Sequence, residues 1–133
     1  MAKLGAAVAS ASLSQYPPSG DYTFQIKKFD YVVKDSGSGN FEVVLEVVES
    51  NDRPELVGRK VYQNINVVTK SGDANEIGGG QVRKIVAAVF GADTSADPDF
   101  DTDELIDQQF FAKLSVTEKD GQEEARLSKH AAV

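Results

Sequence analysis

Between Gly20 and Ser128, apolar residues alternate with polar ones in five runs and recur at helical spacing in one. In the first run, Asp21–Val33, the residues Tyr22, Phe24 and Ile26 share one face, and Phe29, Tyr31 and Val33 continue on the opposite parity. A strand turns successive side chains to opposite faces, so the change of parity predicts a bulge or bend near Lys27-Lys28. The second run, Phe41–Val48, sets Phe41, Val43, Leu45 and Val47 on one face. In the third, Lys60–Val68, one face holds Val61, Gln63, Ile65 and Val67, and the other holds Tyr62, Asn64, Asn66 and Val68. Gln81–Phe90 carries Val82, Ile85, Val86 and Val89 at i, i+3, i+4 and i+7, the stripe of an amphipathic helix. Gly91 is a suitable stop for that helix. Two more strand runs, Phe110–Glu118 and Glu123–Ser128, flank Lys119-Asp120-Gly121-Gln122, whose Asp-Gly pair is a strong hairpin signal.

The predicted order is β-β-β-α-β-β. That order describes a mainly β fold, a five-stranded OB-type barrel with one helix between strands 3 and 4, a fold that commonly takes single-stranded nucleic acid or sugar chains on one face. The bend predicted at Lys27-Lys28 suits such a barrel, because its long first strand pairs at both ends. At 133 residues the chain is sized for one domain. Residues 1–19, rich in Ala and Ser and ending Tyr16-Pro17-Pro18-Ser19-Gly20, read as a flexible tail. Residues 20–129 read as the barrel domain and 130–133 as a short C-terminal tail.

Charge changes the picture through its location. The formal net charge is −7, and seven acids with no base lie between Asp93 and Asp107; removing them from the total of 21 leaves 14 acids against 14 bases. The predicted barrel is therefore neutral, and one surface of it can still be locally positive. There is no cysteine, hence no disulfide, thiolate nucleophile or cysteine metal site, which suits a reducing cytoplasm. The expected location is the cytoplasm.

Most motifs with chemical potential fail on spacing. Gly78-Gly79-Gly80 leads into Gln81-Val82-Arg83, without the Gly-Lys-Ser/Thr ending of a phosphate loop, and reads as a flexible approach to the helix. Alternate carboxylates at Asp97, Asp99, Asp101 and Asp103 resemble a calcium loop, but its glycine and glutamate positions hold Thr102 and Gln108. Asp101 with Glu104 has capping-box spacing, which predicts a helical turn over Thr102–Asp107. His130, the one histidine, reads as an exposed residue near the chain end with no orienting partner. The chain is expected to be no enzyme, with no cofactor and no metal.

What remains is a constellation of aromatic, basic and amide residues on strand faces. Lys27, Lys28, Phe29, Tyr31 and Lys34 lie on the first strand and its exit. Arg59, Lys60, Tyr62, Asn64 and Asn66 lie on or just before the third, and Phe111 shares a face of the fourth with Lys113. Proteins that bind single strands combine aromatic rings on which bases stack with cations along the phosphates. The candidate nucleic-acid-binding residues are Lys27, Lys28, Phe29, Tyr31, Lys34, Arg59, Lys60, Tyr62, Asn64 and Lys113. Phe29, Tyr31 and Phe111 also suit a barrel core. Tyr62 stands out, because it shares its face with Asn64 and Asn66 rather than with aliphatics.

Over about Pro18–Ser128 the chain resembles a family of small phage-encoded proteins found in replication and recombination modules. The resemblance rests on Pro18-Ser19-Gly20-Asp21-Tyr22, Ser38-Gly39-Asn40 before Phe41–Val47, Val57-Gly58-Arg59-Lys60-Val61 and Asn64-Ile65-Asn66-Val67. It continues with Glu104-Leu105-Ile106 before Phe110-Phe111-Ala112 and with the Asp120-Gly121 hairpin. The resemblance implies an OB-fold protein that binds and protects single-stranded DNA during phage replication or recombination. Asp107 stands where the family pattern leads one to expect glycine. The chain ends Ser128-Lys129-His130-Ala131-Ala132-Val133, without the acidic tail through which many such proteins recruit partners. The internal segment Asp93–Asp107 is the alternative contact for replication or recombination proteins. Two rival functions fit the same residues: a β-barrel virion or adaptor protein, and an inhibitor whose acidic segment mimics nucleic acid.

Overall fold

The computed structural model describes residues 2–6, 16–50 and 53–133. Five antiparallel strands form one sheet: β1 (Gly20–Val33), β2 (Gly39–Glu49), β3 (Lys60–Val68), β4 (Gln109–Lys119) and β5 (Gln122–Ala132), in spatial order β3-β2-β1-β4-β5. One long helix, α1 (Glu76–Phe90), connects β3 to β4 and is followed by a single turn, α2 (Ala92–Ser95). Short 3₁₀ turns occupy Pro54–Leu56 and Thr102–Leu105.

The bend of β1 falls where parity places it. The β1–β2 register slips between Ile26 and Lys28, so that Ile26 faces Leu45 and Lys28 faces Val44. The extra residue lets Phe24, Ile26 and Phe29 all point inward and be fully buried. The first half of β1, Gly20–Gln25, pairs with β4, and its second half leaves β4 behind. The freed edge is covered by the acidic segment. The Asp107 amide donates to the Ile26 carbonyl (2.8 Å), the Ile26 amide to the Gln108 carbonyl (2.9 Å), and the Thr102 hydroxyl to the Phe29 carbonyl (3.3 Å).

The sheet does not close into a barrel by backbone ladders. Across its two edge strands, β3 and β5, the Gln63 side-chain amide donates to the Ala125 carbonyl at 3.0 Å. The core comprises the inward faces of all strands but β5, which lends Ala125 and Leu127 at its margin, with Ile85, Val86 and Ala88 of α1 and Leu105 of the acidic segment.

Three elements differ from the sequence reading. The helix begins five residues earlier than Gln81, and Gly78-Gly79-Gly80 lie inside it rather than in a loop. Gly78 is there for close packing: a Cβ would overlap the Asn66 carbonyl oxygen, whereas a Cβ at Gly79 or Gly80 meets nothing within 4 Å. β5 runs through His130 to Ala132, so residues 130–133 are not simply a tail. The predicted tail 1–19 falls partly on residue 1 and residues 7–15, which lie outside the described residues. Its last part is seated: Pro17 is buried, and Ser19 Oγ accepts from the Val116 amide at 2.8 Å. Among the described residues no helix is long and apolar enough to cross a membrane.

The turns fulfil their local signals. Asp120 and Gly121 both take positive φ (53° and 80°), as a two-residue hairpin of this hand requires. Gly91 ends α1 with φ 102° and donates to the Ala87 carbonyl at 2.9 Å. Asp107 adopts φ 68°, so the position where a glycine was expected does take the left-handed conformation glycine favours.

Two outcomes follow in urea or thermal denaturation. Gly78→Ala should cost about 1–3 kcal/mol, because the obstacle is rigid backbone, while Gly79→Ala and Gly80→Ala should each stabilise by about 0.5–1 kcal/mol through helix propensity. A neutral Gly78→Ala would show that the α1–β3 contact yields. Asp107→Gly should raise stability by up to about 1 kcal/mol by relieving the left-handed residue; a loss would mean that the carboxyl contributes more than the backbone strain costs.

Candidate functional site

The candidate residues do not all come together. Lys27 and Lys28, at the β1 bulge, are engaged by β2 carboxylates. Lys27 Nζ lies 3.3 Å from Glu46 Oε2, and Lys28 Nζ lies 3.3 Å from Glu42 Oε1 and 4.0 Å from Asp30 Oδ2. These pairs are half-exposed, worth little to stability, but they offset the positive charge expected on this face. Phe29 belongs to the core: it is fully buried with its ring 5.2 Å from that of Phe41, so it has no face to offer a base. Tyr31 is half exposed but has a structural task. Its ring lies 5.2 Å from Phe41 and covers Gly39, where an added Cβ would overlap the Tyr31 hydroxyl. Lys34 is exposed in the turn after β1.

Arg59 is half-buried and lines a separate hollow with Tyr16, Pro17 and Leu56. Lys113 is exposed on β4, opposite Asp21, away from the others. Lys60, Tyr62 and Asn64 remain together on the outer face of the edge strand β3, all exposed. Tyr62 exposes 60% of its surface and lies opposite Val44, which lies opposite Lys28.

Tyr62 and Asn64 line a cleft of about 370 Å³ between β3 and β5. Gln63 and Ile65 form its β3 side, Gln81 and Ile85 of α1 its end, and Glu123–Leu127 with His130 its β5 side. Arg126 is exposed and, among the described residues, in no ion pair. The cleft thus combines an aromatic ring, amides that can donate or accept, an arginine, and the carboxylates of Glu123 and Glu124. The sequence reading missed Gln63, Gln81, Arg126 and His130: Gln63 adjoins Tyr62 but has the opposite parity, and only the packing of α1 and β5 beside β3 brings the other three to the cleft.

Asn66 is not a ligand group. It is tied inward: its amide nitrogen donates to the Asn40 side chain (2.9 Å) and the Val68 carbonyl (2.8 Å), and its oxygen accepts from Asn75 (3.0 Å). Asn75 in turn caps α1, accepting from the amides of Ile77 and Gly78. The alternating acids also have a local use. Asp97 accepts from the Asp99 amide and Asp101 from the Asp103 amide, each at 2.9 Å, so their spacing builds side-chain turns. Asp101 caps the predicted turn by accepting from the Asp103 amide, and among the described residues Glu104 returns no bond to it.

His130 departs furthest from its reading as an exposed terminal residue. Its ring stacks on Phe110 with centroids 5.8 Å apart and planes 10° from parallel, and both ring nitrogens are buried without a hydrogen-bond partner among the described residues. A bulge explains the inward turn: Lys129 and His130 together lie between the pairs Lys113–Ser128 and Phe111–Ala131, opposite Ala112 alone. Nothing in single-strand parity marks that bulge, because Lys129 occupies the left-handed position that glycine usually signals.

No protein-family model matches the chain, and no characterised protein is detectably similar to it.

Burial holds the His130 imidazole below its ordinary pKa of 6.5, and the Lys84 ammonium on α1 adds to the effect. A base whose folded pKa is depressed leaves stability intact above the unfolded value and erodes it as pH falls through the folded one. Between about pH 7.5 and pH 5, the wild type should therefore lose more stability than His130→Phe, measured by urea denaturation. Parallel losses in the two proteins would show that the ring charges freely in the fold.

Proposed function

We propose that the protein binds single-stranded DNA without reading its sequence, as a non-enzymatic component of phage replication or recombination. The binding face is the outer edge of β3 together with the cleft to the β4–β5 hairpin. The observation that carries the reading is Tyr62: a tyrosine 60% exposed on an edge strand, beside an open cleft, with no part in the core. Every base offers a π-face, so a ring in this setting binds many sequences alike, worth about 1–3 kcal/mol per stacked base. Asn64 and Gln81 supply both donors and acceptors to base edges. Lys60, two residues before Tyr62 on the same face, and Arg126 across the cleft supply the cations. The resemblance of Pro18–Ser128 to the phage family supports the biological setting. Recruitment of a basic replication or recombination protein falls to the seven carboxylates between Asp93 and Asp107, all exposed.

Ion pairing modifies the expected salt response. With Lys27 and Lys28 engaged by β2 carboxylates, a short oligonucleotide meets only the charges of Lys60 and Arg126. Two phosphate contacts give a slope of about −1.4 in log affinity against log salt, so a fourfold rise in salt should weaken binding about sevenfold. Titration of a fluorescent oligo(dT) at low and fourfold higher salt checks this, and no binding at low salt would overturn the reading. Tyr62→Ala should weaken binding by about 1–3 kcal/mol with the fold intact; an unchanged affinity would remove Tyr62 from the site.

A further inference from the structure

A second patch lies beyond β5, on the outer face of β4. Phe111 is 41% exposed there although its strand neighbours Phe110 and Ala112 are buried. The register places Glu49, Thr23, Phe111 and Ala131 in one row across the sheet, and Asp21, Lys113 and Ser128 in the next. Along the sheet order, carboxylates therefore lie on β2 and β1, the ring on β4, and lysines on β4 and β5. A hollow of about 200 Å³ opens among Phe111, Lys113, Lys129, Asp21 and Glu49. Among the described residues neither Lys113 nor Lys129 forms an ion pair, unlike Lys27 and Lys28.

Lys129 reaches this patch through the β5 bulge, at φ 52°. A side chain in that conformation costs on the order of 1 kcal/mol that glycine would avoid. Glycine would form the bulge equally well and still turn His130 inward. What lysine adds is an ammonium beside the exposed ring, on the side away from the carboxylates.

We propose that Phe111, Lys113 and Lys129 form a second base-stacking step for the same single strand of DNA, reached after the strand leaves Tyr62 and crosses the β5 edge. The inference rests on the nucleic-acid reading of Tyr62. The base lies over Phe111 and the phosphates follow Lys113 and Lys129, because Asp21 and Glu49 repel them from the other side. Only an oligonucleotide long enough to span both rings engages the patch.

The test compares a short oligo(dT) of about 5 nucleotides with one of about 20, the first near the lower end of the roughly 4–16 nucleotides that a single-strand-binding OB domain covers and the second beyond its upper end. Phe111→Leu keeps the apolar volume and removes the π-face. Lys113→Gln with Lys129→Asn removes both charges, asparagine being at home at positive φ. Phe111→Leu should weaken the long oligonucleotide about 5- to 100-fold and leave the short one unchanged. The double lysine variant should cut the salt slope for the long oligonucleotide from about −2.8 to about −1.4. A purely structural role would not move that slope. If Tyr62→Ala weakens both oligonucleotides while the patch variants bind the long one as wild type does, the second step is wrong and the first stands. If the wild type binds neither oligonucleotide at low salt, both fall.

Discussion

The amide of Asn66 is the constraint on which the rest of the molecule turns. It bonds to Asn40 on β2, to the Val68 carbonyl on its own strand, and to Asn75, the residue that caps α1. Its backbone carbonyl is approached so closely by Gly78 that only glycine fits. One asparagine therefore fixes both the angle at which the helix starts and its distance from the sheet. A partly buried amide network of this kind specifies position because an unmade bond would leave a polar group with reduced access to water. From that anchor α1 runs past the end of the β3–β5 gap, bringing Gln81 and Ile85 to the cleft and Lys84 toward His130. An open sheet edge keeps its shape here because the helix is seated on it, with Gln63 as a tie across.

Features encoded within a few residues were legible in the sequence. The bulge at Lys27 follows from parity within one strand, the hairpin from Asp120-Gly121, and the helix stop from Gly91. Features that depend on register were not. Lys27 and Lys28 looked like free cations because nothing near them in sequence shows that Glu46 and Glu42 lie within ion-pair distance. Asn64 and Asn66 share a strand face by parity, yet one is exposed and the other is consumed by the α1 cap. The glycine triplet reads as a loop under local propensity, and only the approach of the Asn66 carbonyl explains glycine inside a helix. Nor does the order of elements decide closure. The order β-β-β-α-β-β is as the sequence predicts, but the missing β3–β5 ladder is a matter of strand separation, which no single-strand pattern carries.

The acidic segment has a structural identity as well as a charge. Its backbone supplies the hydrogen bonds that β4 no longer gives to the second half of β1, and Leu105 is buried in the core. Its carboxylates at Asp97 and Asp101 fold the connection. Deleting the segment would therefore expose a strand edge and a core residue together, and a loss of function on deletion would say nothing about charge. Neutralising exposed acids such as Asp99 and Asp103 isolates the electrostatic question.

On the proposed reading, the distribution of cations that form no ion pair among the described residues also limits how a nucleic acid would lie on this molecule. The outer face of β1 and β2 balances Lys27 and Lys28 against Glu42, Glu46 and Asp30, so phosphates gain little by crossing it. The exposed cations Lys60, Arg126, Lys113 and Lys129 instead border the β3 edge and the β4–β5 hairpin. Exposed rings, Tyr62 and Phe111, occur beside each pair. A net charge of −7 is then compatible with binding, because the excess sits on the segment covering β1 and not on this path. With so few phosphate contacts, affinity for the proposed ligand would come chiefly from stacking, and the number of rings a strand could reach would set it more than the number of charges it could neutralise.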